Sequence, residues 1–418
     1  MTTSATPGPR VVYHDAASPR ERAPEGRRIA SLDVVRGAVM VLMALDHGRW
    51  FLSEARFDPT DVSRTTAALF LTRWVTHFCA PAFVFLAGTG AWLYGARVRD
   101  CGALSRFLLT RGLWLVVAEL TLVRFGWTFN LDYAHYALGG VIWMIGWCMV
   151  VMAALVRLPL AVVAALGAAT VAGHDLLDPL VRDPRPALEG SPLAPLWQVL
   201  YFGGGFRVGR GGPVFPVLFS IVPWVGVMAL GYAFGPVMRI DPERRRRLCL
   251  RIGLGATVAF VVLRALNAYG DPGPWSPQRS PTLTVLSFLN TNKYPASLLF
   301  LLMTLGPTIA LLPALEQARG RVGRWLTVFG QVPFFYYILH LPAIHLVTLL
   351  FSLARYGEVV PWLTANQPMM PGRPPAGWGW GLGTVYLVTA LVVVGLYFPC
   401  RWFAGVKTRR REGWLGYL

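Results

Sequence analysis

The chain has 418 residues, of which 55% are hydrophobic and only 14% are charged, and its mean hydropathy is +0.48. Apolar stretches of roughly 18 to 25 residues recur from end to end, which is the length of a membrane-spanning helix, whereas a water-soluble domain would show amphipathic stripes. The formal net charge of +18 is spread between these stretches, so we expect the lipid bilayer, and no nucleic acid, as its partner.

The first 28 residues are predicted to form a disordered cytoplasmic tail, because they are rich in Pro, Ala, Ser and Arg and hold too little apolar surface for a core. An apolar stretch at 29–51 follows this tail. It is too long and too charged for the apolar region of a cleaved signal peptide, so we expect an uncleaved first span.

The apolar stretches together predict an all-α fold, a polytopic integral membrane bundle of about ten transmembrane helices. Arginine clusters lie in the tails and in alternate short loops, which is the positive-inside pattern, and an even number of spans puts both termini in the cytoplasm. The membrane domain is predicted at 29–405, with a cytoplasmic tail at 406–418. The later spans centre on 70–95, 107–126, 137–156, 158–175, 213–237, 248–268, 294–314, 325–352 and 379–402.

Two long segments on the opposite side, 177–212 and 353–377, are rich in Pro, Gly and Trp and are predicted to shape an outward-facing surface. The glycines between 203 and 212 lack the strand-to-helix context of a phosphate-binding loop, so we interpret them as a flexible loop. The five cysteines have no paired spacing, which predicts neither a disulfide framework nor a metal site.

The first span carries polar residues that hydrocarbon disfavours. Asp33, Arg36 and His47 fall within about 60° of one another on a helix, and Arg36 lies about 16 Å below His47 along the axis. Charges inside a span are rare and usually functional. One face of this helix is therefore a candidate functional surface, although Asp33 and Arg36 could equally form a simple ion pair within the helix.

Other polar residues of the spans share a depth near the outer end of the bundle. Each has a structural alternative, because a span histidine is often only a hydrogen-bonding group between helices and a basic side chain near the interface can extend its charge into the headgroups. Their concentration at one end nevertheless favours a site there. These residues are Arg73, His77, Arg124, His135, Arg264, Asn267, Asn290, Lys293, His340 and His345.

Three motifs carry a family resemblance. They are Ser31-Leu32-Asp33-Val34-Val35-Arg36-Gly37, then Phe78-x2-Pro81-x-Phe83-Val84-Phe85-x2-Gly88, and later Gly330-x4-Phe335-x-Tyr337-x2-His340. With them the chain resembles the catalytic domain of heparan-alpha-glucosaminide N-acetyltransferase and its bacterial relatives, most firmly over 28–95 and 325–345. The spacing from Arg36 to His47 also resembles the opening helix of the acyltransferase-three family, in which the matching arginine and histidine are needed for activity.

The resemblance implies an integral membrane acyltransferase of the bacterial cytoplasmic membrane. Such an enzyme moves an acetyl or short acyl group from cytoplasmic acyl-CoA, its co-substrate, to a glycan, amino-sugar or lipid acceptor on the outer face, and it needs no metal. The chain departs from the animal enzymes, which have asparagine at the position of His47 and their candidate histidine where this sequence has Asp58. The acceptor, N- or O-acylation and a homodimer therefore stay open.

A mechanism can be assigned to the residues as a hypothesis. Arg36 and Arg111, with Asp33 beside Arg36, are expected to hold the phosphates of acyl-CoA through charge-assisted hydrogen bonds. His47 is expected to deprotonate the acceptor as a general base, oriented by Asp46, Asp58 or Asp61. An acyl-histidine intermediate is a further option.

The remaining polar residues of the outer half complete the hypothesis. Arg73 and His77, with Asn290 or Lys293, are expected to stabilise the oxyanion, and the substrate-binding candidates are Asn290, Lys293, His340 and His345. The alternative function is a multi-pass transporter or flippase for an anionic metabolite, which would use the same intramembrane Arg and His residues. A non-catalytic scaffold or sensor is a further alternative.

Overall fold

A computed structural model describes residues 30–177, 191–318, 320–366, 368, 374, 376–410 and 415–416. The predicted disordered tail at 1–28 lies outside the described residues. The predicted boundary at 405 is passed by the last helix, which continues to Arg409.

The described chain is almost entirely helical, with one short hairpin. The first helices are α1 (Ala30–Leu52), α2 (Ala67–Val75), α3 (Cys79–Val98), α4 (Cys101–Ala118), α5 (Arg124–Thr128), α6 (Val141–Leu155), α7 (Leu160–Gly173) and the short α8 (Ala194–Trp197). Strands β1 (Gly204–Arg207) and β2 (Val214–Val217) follow. The later helices are α9 (Val222–Phe234), α10 (Pro242–Leu266), α11 (Pro281–Leu289), α12 (Leu298–Glu316), α13 (Arg321–Gln331), α14 (Pro333–Tyr356) and α15 (Leu382–Arg409).

Six helical segments of the described chain are long and apolar enough to cross a bilayer, which makes this a multi-pass membrane protein. The helix α1 has 23 residues but carries two acidic and two basic residues, and α6 has only 15 residues. The six segments are Ala67–Val98, Leu160–Leu177, Pro242–Leu266, Leu298–Glu316, Pro333–Tyr356 and Leu382–Arg409.

Three predicted elements differ from the structure in their local form. The span predicted at 107–126 contains a π-helical turn, Glu119–Val123, between α4 and α5. The stretch predicted at 325–352 is two helices, because Pro333 starts a new helix and disfavours helical backbone at Val332 before it. The glycine-rich segment predicted as a flexible loop forms β1, which pairs antiparallel with β2 from Gly204 opposite Val217 to Arg207 opposite Val214.

The helix α1 lies at the centre of the bundle, where it contacts α3, α12, α13, α14 and α15. Its crossing with α13 brings backbone against backbone. A Cβ atom added at Gly37 would lie 1.9 Å from the carbonyl oxygen of Leu326, and one added at Gly330 would lie 1.8 Å from that of Asp33. Glycine on both helices therefore permits this close approach. The face of α1 that carries Gly37 is occupied by α13, so the other faces of α1 contact the remaining helices.

Candidate functional site

A cavity of about 1030 Å³, here called the inner cavity, lies at the end of α1 that carries Arg36. Among the described residues that line it, none is acidic and six are basic. Such a lining favours an anionic ligand, and arginine offers a planar fork for phosphate oxygens. The basic residues are Arg36, Arg97, Arg106, Arg111, Lys407 and Arg410.

Arg36 is held in place by its surroundings. Its guanidinium lies 3.5 Å from the carboxylate of Asp33 and donates a 3.3 Å hydrogen bond to the carbonyl of Leu86. The side chain remains 23% exposed and reaches the inner cavity, whereas Asp33 is buried behind it and does not line the cavity. Asp33 therefore orients Arg36 and does not itself reach the inner cavity. Arg111 lines the same cavity and donates a hydrogen bond to the carbonyl of Gly416.

A second cavity of about 500 Å³, the outer cavity, lies around His47. It is lined by polar groups from α1, from the segment around α2, from the π-helical turn and from the loop before α12, which places the predicted outer-half residues partly together. The glycines that start β1 and the residues after β2 close another side of it. Its ionisable lining residues are Asp46, His47, Arg49, Arg73, Cys79, Glu119, Lys293, Tyr294 and Tyr337.

The two cavities adjoin at Met43, Phe83, Val141 and Tyr337, the residues that line both, and these four residues are here called the neck. Met43 lies between Arg36 and His47 on α1, so the neck sits between the basic residues and the histidine. At a rise of about 1.5 Å per residue, the helix carries Arg36 and His47 about 16 Å apart. Arg36 and His47 therefore line two different cavities that adjoin at the neck.

His47 forms a pair with His340 of α14. The Nδ1 atom of His47 lies 2.8 Å from the Nε2 atom of His340, and the ring centroids are 5.0 Å apart and nearly parallel. The Nδ1 atom of His340 is 3.2 Å from the carbonyl of Tyr336, which can only accept, so His340 carries its proton there. Its Nε2 then accepts from His47, which assigns the proton of a neutral His47 to Nδ1 and leaves Nε2 with a lone pair.

Asp46, one of the three residues predicted to orient His47, makes no hydrogen bond to it in the described structure. Its carboxylate binds two arginines instead, with Arg49 at 3.0 Å and Arg73 at 2.6 Å. A residue adjacent to His47 on a helix points about 100° away, and these two cations hold Asp46 in that direction. The group nevertheless lines the outer cavity and carries one negative charge between two positive ones.

Lys293 is the remaining cation of the outer cavity, and it is buried with 8% of its surface exposed. Its ammonium lies over the rings of Phe219 and Tyr294, at 5.6 and 5.3 Å from the centroids. No hydrogen bond or ion pair joins this ammonium group to the described residues. Buried ammonium groups are normally paired, so this one is suited to a negative charge that enters or develops in the cavity.

Asp58 and Asn290 are predicted site residues that the structure does not bring into either cavity. The exposed Asp58 accepts hydrogen bonds from the backbone and side chain of Thr60, a local turn that holds it in the loop after α1. Asn290 donates to the carbonyl of Thr60 and thereby ties the same loop to the end of α11. Asp61, too, bonds locally, to Ser63.

His77 and His345 also lie outside the two cavities. His77 is 3% exposed and packs edge-on against Phe300, whereas Arg73, one turn earlier, lines the outer cavity. His345 stacks between Phe51 and Phe129 and donates to the carbonyl of Gly126. Both histidines therefore serve interhelical packing in this geometry, the alternative raised for span histidines.

An outer network joins the loop after α5 to the segment after α14. Arg124 is fully buried and donates to the carbonyl of Asn130 at 2.5 Å and to the side chain of Asn366 at 3.3 Å. It therefore does not extend into the headgroups. Asn366 also donates to Asp132, and the hydrogen bonds from Asn366 and His135 hold the pKa of Asp132 below its usual range.

Five ionisable residues of the outer cavity are absent from the predicted site: Arg49, Cys79, Glu119, Tyr294 and Tyr337. Glu119 had a signal, since it is an acidic residue inside the span predicted at 107–126. Tyr337 had one as a member of the third motif, whereas Tyr294 had none, because an aromatic residue at the edge of a span is ordinary core. No group of three or more His, Cys, Asp or Glu that could hold a metal ion is found among the described residues.

Comparison with known proteins identifies the family. No curated protein matches the chain. The sequence profile of the family described as heparan-alpha-glucosaminide N-acetyltransferase, catalytic, matches residues 28–269. This region includes the first two motifs of the resemblance and most of the lining residues of each cavity. The third motif, from Gly330 to His340, lies beyond the matched region. Since the match covers more than half of the sequence, the chain belongs to the heparan-alpha-glucosaminide N-acetyltransferase catalytic family.

Proposed function

We propose that the protein is an acyl-CoA-dependent acyltransferase of the bacterial cytoplasmic membrane. It moves an acetyl or short acyl group from cytoplasmic acyl-CoA in the inner cavity to a glycan, amino-sugar or lipid acceptor in the outer cavity. The observation that carries this proposal is that a cavity lined by six basic residues adjoins a cavity lined by His47. The family assignment supports acetyl transfer at this site.

The inner cavity suits the polyanionic end of acyl-CoA. Arg36, Arg106 and Arg111 reach it from α1 and α4, and Lys407 and Arg410 reach it from the last helix and the residue after it. Charge-assisted hydrogen bonds to phosphate are stronger than neutral ones and are often bidentate with arginine. From there the pantetheine arm would follow α1 through the neck and bring the thioester close to His47.

The chemistry of the outer cavity follows from the tautomer of His47. Its Nε2 atom takes the proton from the acceptor hydroxyl or amine, while the acceptor oxygen or nitrogen forms a bond to the thioester carbonyl carbon. The carbon–sulfur bond then breaks, and the proton on His47 passes to the thiolate of CoA. Arg73 and Lys293 stabilise the negative charge that develops on the carbonyl oxygen, which is the role of an oxyanion site.

The test uses the full chain in lipid nanodiscs with acetyl-CoA and a panel of amino sugars, oligosaccharides and lipid-linked sugars. We expect free CoA to appear only when an acceptor is present, together with an acceptor that mass spectrometry shows to be acetylated. His47→Gln in the same nanodiscs is the control for background hydrolysis. A transporter would instead move an anionic solute into proteoliposomes without consuming thioester, and that result would overturn the proposal.

A further inference from the structure

Glu119 begins the π-helical turn at the end of α4, and its carboxyl group is almost completely buried, at 1% exposure. Its Oε2 atom accepts the backbone N–H groups of Ile142 at 2.9 Å and Trp143 at 3.2 Å, in the first turn of α6. π-helical turns are rare and are found frequently at functional sites. One oxygen of Glu119 thus serves the fold by satisfying two N–H groups that a helix start leaves unpaired.

The other oxygen, Oε1, has no hydrogen-bond partner among the described residues. No cation forms an ion pair with this carboxyl group in the described part of the chain either. A buried polar atom without a partner is expensive, and most such atoms in proteins are satisfied. Glu119 lines the outer cavity, and Gly140 packs closely against Oε1, since a Cβ atom added at Gly140 would lie 2.3 Å from it. A ligand N–H group in this cavity would supply the partner that Oε1 lacks.

The position of Glu119 restricts which ligand that is. It sits next to the neck, since Leu115 one turn earlier and Val141 beside Gly140 line the inner cavity. Met43 of the neck lies four residues before His47, about 6 Å along the helix. A reacting thioester carbon must lie within about 3–3.5 Å of the acceptor atom. When the thioester carbon lies at the acceptor, the cysteamine amide, two carbons beyond the sulfur, lies closer to the neck.

We propose that Oε1 of Glu119 accepts a hydrogen bond from the cysteamine amide N–H of the pantetheine arm and so fixes the thioester at the neck. This inference rests on the proposed use of acyl-CoA. It makes Glu119 a binding residue that recognises the arm, whereas Arg36 recognises the phosphates.

The test separates the arm from the phosphates by calorimetric titration of the protein in nanodiscs. The two ligands are CoA and 3′-phosphoadenosine 5′-diphosphate, which carries the same phosphates but no arm. In Glu119→Gln the amide carbonyl can still accept the N–H groups of Ile142 and Trp143, while an NH₂ donor replaces the free acceptor. We expect the affinity for CoA to fall about tenfold or more, the loss of one hydrogen bond, with the arm-less ligand unaffected.

Glu358→Gln is the matched control, because it makes the same change at an exposed residue and should leave both affinities unchanged. Unchanged CoA binding in Glu119→Gln would overturn the inference alone, and equal weakening of both ligands would overturn it by assigning Glu119 a purely structural role. Failure of the unaltered protein to bind either ligand would instead overturn the proposed function and this inference with it.

Discussion

His47 and His340 are joined across two helices by a 2.8 Å contact between Nδ1 and Nε2. The carbonyl of Tyr336 sets the proton of His340, and His340 sets the proton of His47. A residue predicted to bind substrate is therefore positioned to control the tautomer of the proposed base. Two roles that sequence treated as separate are coupled in one hydrogen-bonded pair.

The first prediction concerns His47 itself. His47→Gln keeps the approximate size and hydrogen bonding but cannot accept the proton, so turnover should fall by about 10²–10⁴, as expected for a lost general base. His47→Ala should behave similarly, and both should bind CoA nearly as tightly as the unaltered protein. Steady-state kinetics and calorimetric titration measure the two effects. Near-normal transfer by His47→Gln, together with loss of transfer in Asp58→Asn, would move the base to the outer loop.

The second prediction concerns His340 as a positioning residue. In His340→Leu, His47 loses the acceptor for its Nδ1–H, so kcat should fall by about tenfold or more, the value of one hydrogen bond. His340→Gln restores an acceptor oxygen and should recover part of that loss, with KM for the acceptor unchanged in both variants. Nitrogen NMR of labelled His47 reports its tautomer directly. A rise in KM without a change in kcat would support the original assignment to substrate binding.

The third prediction concerns Arg36. If its guanidinium holds phosphate, Arg36→Ala should weaken CoA binding by roughly ten- to a hundredfold. Arg36→Lys should recover only part of the affinity because lysine lacks the planar fork. Arg246→Ala, which removes an exposed arginine that does not line the inner cavity, is the control. Intact binding by a folded Arg36→Ala protein would reduce Arg36 to the ion-pair partner of Asp33.

The fourth prediction concerns topology, for which the alternation of arginine-rich and arginine-poor loops is the argument. In a background without native cysteines, a cysteine at Ser191 should react with a membrane-impermeant reagent in intact cells. A cysteine at Gly320 should react only after the membrane is opened. A cysteine at Gln367, which lies outside the described residues, should react in intact cells, as at Ser191. Labelling of Gly320 in intact cells would reverse the proposed sidedness of both cavities.

The fifth prediction concerns the crossing of α1 and α13. Gly330→Ala places a methyl group against the backbone of Asp33, where no flexible side chain can move away, so the helices must separate. We expect a loss of about 1–3 kcal/mol in stability, the usual cost of overpacking. Gly395→Ala on α15 meets nothing within 4 Å and should be neutral or slightly stabilising. Thermal unfolding in detergent compares them, and equal stability of the two variants would contradict the close crossing.

Periodicity and composition located most of the helices, because hydrophobic length is a property of each segment by itself. The spacing of Arg36 and His47 was equally readable, since one helix holds both. The contact between His47 and His340 could not be predicted, because it joins residues 293 positions apart in the sequence. Glu119 was readable as an acidic residue inside a predicted span, but the direction of its side chain was not, because the π-helical turn departs from regular α-helical geometry.

Some predicted site residues do not lie together because they form hydrogen bonds or ion pairs with nearby residues instead. Asp58 has its hydrogen-bond partners within two residues, and such turns are energetically complete without a neighbour from elsewhere. Asp46 was placed at the right depth but lies between two arginines, one from its own helix and one from α2. Depth along a span was therefore predictable, whereas partner choice required the packing of several helices.

The apolar neck has a consequence for the membrane as a whole. A water-filled passage from the basic residues to the histidine pair would carry protons and discharge the gradient that the membrane maintains. Three of the four neck residues, Met43, Phe83 and Val141, have side chains that offer water no hydrogen bond, whereas Tyr337 brings a hydroxyl group, and narrow apolar constrictions shed water. Under the proposed function, an acyl group carried on a flexible arm would pass these apolar side chains, which disfavour ions. The protein would then exchange a chemical group between two compartments and still act as an electrical insulator.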